Sequence, residues 1–277
     1  NCLKLTTTTA DTDIAAGEVL ILQTKFEGQD VQQLKKGTAS AEQVTVSFYV
    51  KGNAAALYVC ELFDVDNGRC ITQSFAVTTS WNRIELTFAA DTSDPLDDNN
   101  AVSLQLSFWL HSGSDFTSGT FAVNTWNDYV QVNRAAVDDL TSIFDATSRT
   151  FFITGVQMEI GTQATDFESR SFGEELALCQ RYYYENPAII GTGLGSTTIA
   201  RATGSHPVAM RSAPTVTVSN AVQFFNGDAS LTCTGSLTSY STTTVYNADL
   251  TTNAANTSGN ACCIVPATGK ITVSSEL

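Results

Sequence analysis

The feature that most constrains this chain is a series of short runs in which apolar and polar residues alternate with period two. In Gln43–Lys51, QVTVSFYVK, Val44, Val46, Phe48 and Val50 alternate with Thr45, Ser47 and Tyr49. Successive side chains on an extended strand point to opposite faces, so such a run predicts a half-buried strand. The pattern returns in Ala56–Phe63, Cys70–Thr78, Asn82–Ala89 and Val102–Leu110, with Ile84, Leu86 and Phe88 on one face of the fourth run. Phe151–Ile160 adds another, with Phe152, Thr154, Val156, Met158 and Ile160 expected on one face. Near the N-terminus, LKLTTTT and VLILQTKF read as further strands, and QDVQQLKK as one or two helical turns. Asp64-Val65-Asp66-Asn67-Gly68 is a turn, and its Asn-Gly pair predicts a tight hairpin because both central residues of such a turn take positive φ. Short strands at regular spacing with turn signals between them predict an all-β sandwich.

Two stretches break the pattern. The segment from His111 to Thr150 is longer than ordinary connections, and loops of that length are usually functional or covered by a partner. The other follows Ser171, where Ser171-Phe172-Gly173-Glu174 fits a capping box, with hydroxyl and carboxylate satisfying two orphan amides. Leu176, Cys179, Gln180 and Tyr183 then share a helix face, and Asn186-Pro187 ends it. A helix of about a dozen residues does not persist alone in water. Leu176, Cys179 and Tyr183 therefore face either the flank of their own sandwich or the same helix of neighbouring subunits. Beyond Pro187 the chain turns rich in Gly, Ser and Thr and carries weak strands at PTVTVS, Val222–Phe225, Leu231–Leu237, Thr243–Tyr246, Ala261–Val265 and Lys270–Val273. The organisation expected is a β-rich unit over 1–170, a linking helix over 171–186 and a small β-sandwich over 187–277.

The charge narrows the partners. Against 28 Asp and Glu stand 14 Lys and Arg, a formal net charge of −14. Such a chain repels nucleic-acid phosphates and anionic membrane surfaces, and no apolar run reaches the 18 or so residues of a membrane span. Neither nucleic acid nor membrane insertion is expected. The opening NCLKLTTTT has no initiator Met and reads as the start of a fragment or processed product. The cysteines are Cys2, Cys60, Cys70, Cys179, Cys233, Cys262 and Cys263, and their spacing fits no zinc or redox template. Cys60 and Cys70 can oppose each other across a hairpin, but reduced thiols made in a cytosol are at least as well accommodated.

Enzyme chemistry has little to stand on. His111 and His206 are the only histidines, and neither sits in a nucleophile motif. Pairs such as Asp64/Asp66 occur in any acidic chain, and Gly191–Gly195 (GTGLG) lacks the Lys of a phosphate loop. Asp64 to Gly68 also resembles the start of a calcium loop without its Glu at the twelfth position, so turn chemistry accounts for it. No catalytic residue and no cofactor are assigned. For sugar recognition, aromatic platforms beside polar side chains on the long loop are the first choice: Trp126 and Tyr129 with Asn124, Asn127 and Asp128, and His111 and Asp115 at its start. The alternative for Trp126 is an anchor that pins the loop to the sandwich. Trp81 and Trp109 read as core or edge packing.

One stretch carries a family likeness. GVQMEIG followed by ATDFESRSFGEELALCQRYY resembles a segment of bacteriophage tail fibres and related virion proteins, which commonly show G-V-Q-L-E-x-G, A-T-P-F-E and E-L-A-L-C-Q-R-Y-Y. Met158 stands for the usual Leu and Asp166 for the usual Pro. Upstream, ELFDVDNGR and LSFWLHSGSDFTSGTF are similar to the jelly roll preceding that segment, and HPVAMRSAPTVTVS with ITVSSEL resembles the C-terminal β-domain. The resemblance implies a carbohydrate-binding-module-like jelly roll, a linking helix and a C-terminal β-sandwich, in a homotrimer. It implies a virion protein made in the host cytoplasm, whose partners are other virion subunits and a host surface glycan. Tail fibre, head decoration and polysaccharide depolymerase are the three readings it leaves. Modules of this shape often hold a structural calcium near their terminal strands. Glu159, Asp166 and Glu168 would be its ligands here, the alternative being solvated carboxylates.

Overall fold

The computed structural model describes residues 1–185, 189–193, 199–219, 222–225, 230–233, 238–251, 261–266 and 270–276. The chain is all-β and divides into two compact units, Asn1–Glu168 and Ser169–Leu277. The first unit is a jelly-roll sandwich. Its strands are β1 (Leu3–Thr6), β2 (Val19–Glu27), β3 (Val44–Gly52), β4 (Ala56–Asp64), β5 (Arg69–Val77), β6 (Asn82–Phe88), β7 (Val102–Ser112), β8 (Asn127–Asp128) and β9 (Thr150–Ile160). They form a four-stranded sheet in the order β1-β9-β3-β6 and a five-stranded sheet in the order β2-β7-β4-β5-β8. Between β2 and β3 the expected helical turns are two short 3-10 turns, Gly28–Asp30 and Gln32–Leu34.

The alternation read from the sequence fills the space between the sheets. Val44, Val46, Phe48 and Val50 of β3 face Tyr58, Cys60 and Leu62 of β4, Ile71, Phe75 and Val77 of β5, and Leu104, Leu106, Phe108 and Leu110 of β7. Phe48 stands edge-on to Phe75 and Phe108, with ring centres 5.1 and 4.9 Å apart, the arrangement that aligns ring edges with ring faces. Burying Tyr58 here pushes its hydroxyl pKa up to about 12.

Three local expectations are corrected. The β4–β5 connection is a four-residue turn, and only Gly68 takes positive φ (+63°). Asp64 holds it by accepting from Asn67 N at 3.0 Å and Asn67 Nδ2 at 2.9 Å, so Asn67 contributes its side chain instead of its backbone. Cys60 and Cys70 do not oppose each other: Cys60 pairs with Gln73 and Cys70 with Phe63, and both thiols are free. Finally, β9 does not keep one apolar face. Its register with β3 slips between Ser47 and Tyr49, and Gly155 at φ +60° forms the bulge. Phe151 and Ile153 therefore point into the core while Phe152 points outward, and beyond the bulge Met158 turns back to pack against it.

The second unit opens with a helix, α2 (Phe172–Gln180), after α1 (Ser114–Thr117) of the first unit. The capping box is present: Glu174 N donates to Ser171 Oγ at 3.3 Å, and Ser171 N to Glu174 Oε2 at 2.9 Å. The strands are β10 (Tyr183–Glu185), β11 (Ile189–Gly193), β12 (Ile199–Ser205), β13 (Thr215–Ser219), β14 (Val222–Phe225), β15 (Ser230–Cys233), β16 (Thr238–Ser241), β17 (Val245–Thr251), β18 (Ala261–Pro266) and β19 (Lys270–Ser274). They make a three-stranded sheet, β10-β19-β13, and a seven-stranded one, β15-β14-β18-β11-β12-β17-β16. The Gly-rich strands β11 and β12 and the short β16 lacked an apolar alternation to announce them. Positions 234–237, at the end of the expected Leu231–Leu237 strand, and positions 194–195 of the GTGLG run lie outside the described residues.

In this unit Tyr184, Met210, Val216, Ile271 and Val273 are buried, and His206 is buried among them. Nε2 of His206 lies 3.1 Å from the Thr242 carbonyl, which can only accept, so Nδ1 of the neutral ring accepts from the Tyr184 hydroxyl at 2.6 Å. Burial lowers the pKa below its ordinary 6.5, outweighing the hydrogen bonds that oppose it. The unfolded chain thus binds the proton more readily. The stability held by this ring is full above pH 6.5 and falls as the pH drops below it. Thermal melts between pH 7.5 and 5.5 should show Tm falling with acidification (pH range set by that pKa, to roughly 1 unit either side). The fall should be shallower in His206→Gln, and an equal slope would refute the assignment.

Candidate functional site

The long segment between β7 and β9 is a strap folded over the outer face of the five-stranded sheet. Backbone bonds tie it down at intervals: Asn124 N to Thr72 O at 2.9 Å, Tyr129 N to Gly68 O at 2.7 Å, Thr141 N to Leu57 O and Ile143 N to Leu110 O, both at 2.9 Å. Beneath it lies a second, smaller core in which Val59, Trp109 and Ala135 are buried against Ile21, Phe116, Phe121, Val137 and Leu140.

The outer face of β4 carries a carboxylate, Glu61, with no exposure to solvent. Arg134 of the strap answers it through two nitrogens, Nε to Oε1 at 2.8 Å and Nη2 to Oε2 at 2.5 Å. Trp109 Nε1 donates to the same carboxylate at 3.1 Å. The guanidinium is also stacked among rings, 4.8 Å from the centre of Trp109 and 4.7 Å from that of Phe63. Burial disfavours the charge on Arg134, but the hydrogen bonds and charge of Glu61 outweigh it and hold its pKa above the ordinary arginine value.

Where the strap bends between positions 119 and 133 it leaves a cleft of about 420 Å³ against β5. Cys70 and Thr72 form one wall, Thr120, Ala122 and Thr125 another, and Asn127, Asp128, Val130 and Asn133 the rim. The rim is held by pairing, Arg69 with Asp128 and Cys70 with Asn127, and by an isolated parallel bridge of Thr72 to Val123. Asn133 Oδ1 accepts from Thr120 N at 2.9 Å. Burial, then the charge of Glu61, pushes the Cys70 thiol up to about 11, so the wall presents a neutral sulfur.

A second polar cluster reaches the rim from inside. The Lys36 ammonium is buried between Asp64 (2.6 Å) and Asp91 (3.1 Å) and donates to the carbonyls of Ser93 and Asp94 at 3.0 and 2.9 Å. Arg69 links Asp91 (2.9 Å) to Asp128 on the rim (2.8 Å). Burial would raise the pKa of Asp91, but hydrogen bonds from Arg69, Ser93 and Lys36 prevail and lower it.

Of the glycan-binding residues expected from the sequence, Asn127 and Asp128 line this cleft. Trp126 is an anchor: its Nε1 donates to Ala89 O at 2.8 Å, its ring packs on the sandwich core, and Lys36 lies 5.4 Å from its centre. Asn124, at φ +51°, spends its Oδ1 on Ala89 N at 2.9 Å. Tyr129 is 41% exposed with its ring edge on Phe63. His111 is buried against Ser142 and Phe144, with Nδ1 2.8 Å from the serine oxygen, and Asp115 opens α1; neither lines the cleft. The acidic trio does not converge. Glu159 accepts from Thr165, whose hydroxyl and backbone lower its pKa, while Glu168 engages Gln157 through its backbone. Among the described residues no group of three or more His, Cys, Asp or Glu is placed to hold a metal ion. Leu176, Cys179 and Tyr183 are all exposed.

Glu61 and Arg134 went unremarked in the sequence, although a signal existed. Glu61 is the one charge inside ALYVCELF, and Arg134 is the one cation between positions 112 and 148. A buried carboxylate needs such a partner.

No protein-family model and no curated protein matches this chain. Among three solved structures that match, one described as "CBM4 structure and function" aligns at 11% identity with a TM-score of 0.26, covering 50% of this chain. The alignment spans 59% of that chain's length. A likeness of that size assigns neither fold nor site.

Removing one partner of the buried pair leaves an uncompensated charge, so Arg134→Ala should cost about 3–5 kcal/mol in chemical unfolding. The double variant Glu61→Leu with Arg134→Met should cost less than Arg134→Ala. Equal losses would mean that the pair is not what holds the strap.

Proposed function

We propose that this chain is a virion adhesion protein of the tail-fibre kind, and that it holds a host-surface glycan in the strap cleft without cleaving it. The observation that carries the reading is the cleft itself. Its volume of about 420 Å³ falls in the range of small-ligand sites, roughly 300–1,000 Å³. Its lining combines hydroxyls and amides of Thr72, Thr120, Thr125, Asn127 and Asn133 with the apolar surfaces of Ala122 and Val130, the mixture a sugar ring presents in return. Among the described lining residues Asp128 is the one carboxylate, and it is engaged with Arg69, whereas glycoside hydrolysis uses two. His111 and His206 are both buried in structural hydrogen bonds. These points favour binding over depolymerisation. The family likeness of residues 151–185 supplies the virion setting.

A second reading, a head-decoration or fibre protein whose main work is contact with other virion subunits, draws on α2. Phe172 is 81% exposed, and Leu176 and Leu178 are 41% and 47% exposed, apolar area that a homotrimer would cover.

Asn127→Ala combined with Thr72→Val should weaken binding of the cognate host polysaccharide by about tenfold or more, the loss expected for one or two hydrogen bonds. Surface plasmon resonance on purified host glycans measures it, and undiminished binding would remove the cleft from the proposal. For the virion setting, gold-labelled antibody against the chain should mark the distal tail of intact particles. Label over the head would favour the second reading, as would loss of a trimeric mass in light scattering on Leu176→Glu with glycan binding unaffected.

A further inference from the structure

Within the first unit, the described residues cover one part of the outer face of the four-stranded sheet. Residues 161–168 fold back across it, with Thr45 Oγ1 donating to the Gly161 carbonyl at 2.7 Å and Arg83 to that of Thr165. Elsewhere on the face the register sets side chains in a row across the strands. Lys4 of β1 pairs with Phe152 of β9, and Phe152 with Lys51 of β3. Trp81, one residue ahead of β6, is level with Lys51, because Val50 pairs with Asn82. The result is a strip reading Lys4, Phe152, Lys51, Trp81. Lys51 Nζ lies 5.3 Å from the centre of the Trp81 ring and 4.9 Å from that of Phe152, and Lys4 Nζ lies 5.5 Å from Phe152. Trp81 is 42% exposed and Lys4 is exposed.

Charge bookkeeping marks these two lysines. Lys35, Lys36, Arg69, Arg83, Arg134, Arg149, Arg170, Arg201 and Lys270 all pair with a carboxylate. Lys4 and Lys51 have no carboxylate partner among the described residues, although acids outnumber bases 28 to 14. They rest over ring faces instead, a weak contact at an exposed site that leaves the ammonium protons to donate elsewhere.

We propose that this strip is a second binding site, separate from the cleft, for an anionic saccharide: a sugar chain bearing carboxylate or sulfate groups. The apolar face of a pyranose ring stacks on Trp81, and the acid groups lie against Lys51 and Lys4. By the strand spacing of about 4.8 Å the row spans roughly 14 Å, the reach of a short oligosaccharide. A peptide is the poorer match. The strip crosses the strands, over a face whose backbone groups are already paired, so an extended peptide lying along it adds to no sheet edge.

Trp81 supplies the readout, because Trp109 is fully buried and Trp126 is packed on the core. The full chain is titrated with oligogalacturonate, with a sulfated galactan oligosaccharide and with neutral maltohexaose, following tryptophan emission. At least one anionic oligosaccharide should change the emission, with affinity falling as salt rises, and maltohexaose should not. Lys4→Gln with Lys51→Gln should weaken that affinity by about tenfold or more while the thermal melt stays in place. Asn127→Ala in the cleft should leave it unchanged, which separates failure of this site from failure of the cleft. The proposal is overturned if neither anionic oligosaccharide binds at millimolar concentration, if maltohexaose binds as tightly, or if the double lysine variant keeps its affinity. Tighter, lysine-dependent binding of a poly-glutamate peptide would overturn it in favour of an acidic protein partner.

Discussion

The strap depends on one carboxylate shut away from solvent. Glu61 sits on the outer face of a central strand, at a depth where an isolated negative charge is prohibitive, and Arg134 of the strap reaches it with two parallel hydrogen bonds. Folding the strap down therefore satisfies a charge as well as covering Trp109 and Val59. Replacing the pair by hydrocarbon would cost far less than breaking it, since desolvating two ions offsets most of their attraction. What the ions add is direction: a guanidinium fork fits its carboxylate in one way.

The cluster around Lys36 extends the same logic from the core to the rim. One ammonium among two carboxylates and two carbonyls joins the end of β4, the β6–β7 connection and the segment after the 3-10 turns. Arg69 carries the network on to Asp128, so the one acid among the described lining residues of the cleft is tied through two ion pairs to Asp91, and through two more by way of Lys36 to the fully buried Asp64. A rim held in this way keeps its polar groups in place before any ligand arrives, which lowers the ordering cost of binding.

The sandwich was legible because alternation is a local property. Each strand of the first unit reports its buried face within a few residues, and every strand expected there is present. Register is not local. Nothing in FFITGVQMEI announces that Gly155 takes positive φ, so one face was read where the bulge makes two. The cleft was half legible for a related reason. The loop position of Asn127 and Asp128 points to them directly, but Thr72 and Cys70 reach the cleft from β5, about fifty residues away in sequence. Trp126 shows the limit of reading aromatics by type, since the ring that marks a sugar platform equally suits a peg, and only Ala89 and the underlying core decide. In the second unit, strands built of Gly, Ser and Thr carry little burial signal, so β11, β12 and β16 have no alternation to mark them, and the helix expected over 171–186 ends at Gln180, with Tyr183 in β10.

The pairing of β1 with β9 joins the two ends of the first unit, Leu3 against Ile153 and Thr6 against Thr150. The opening strand must therefore wait, unpaired on this side, while about 150 residues leave the ribosome. At ordinary synthesis rates of 5–20 residues per second (about that range in cells), the wait lasts on the order of ten seconds. Closure is then a long-range event with a large loop entropy, and it comes after the local hairpin of β4 and β5 has formed. A strand that docks last is also the one most exposed to capture by a neighbouring nascent chain, so crowded polysomes are where exchange of β1 between copies would arise.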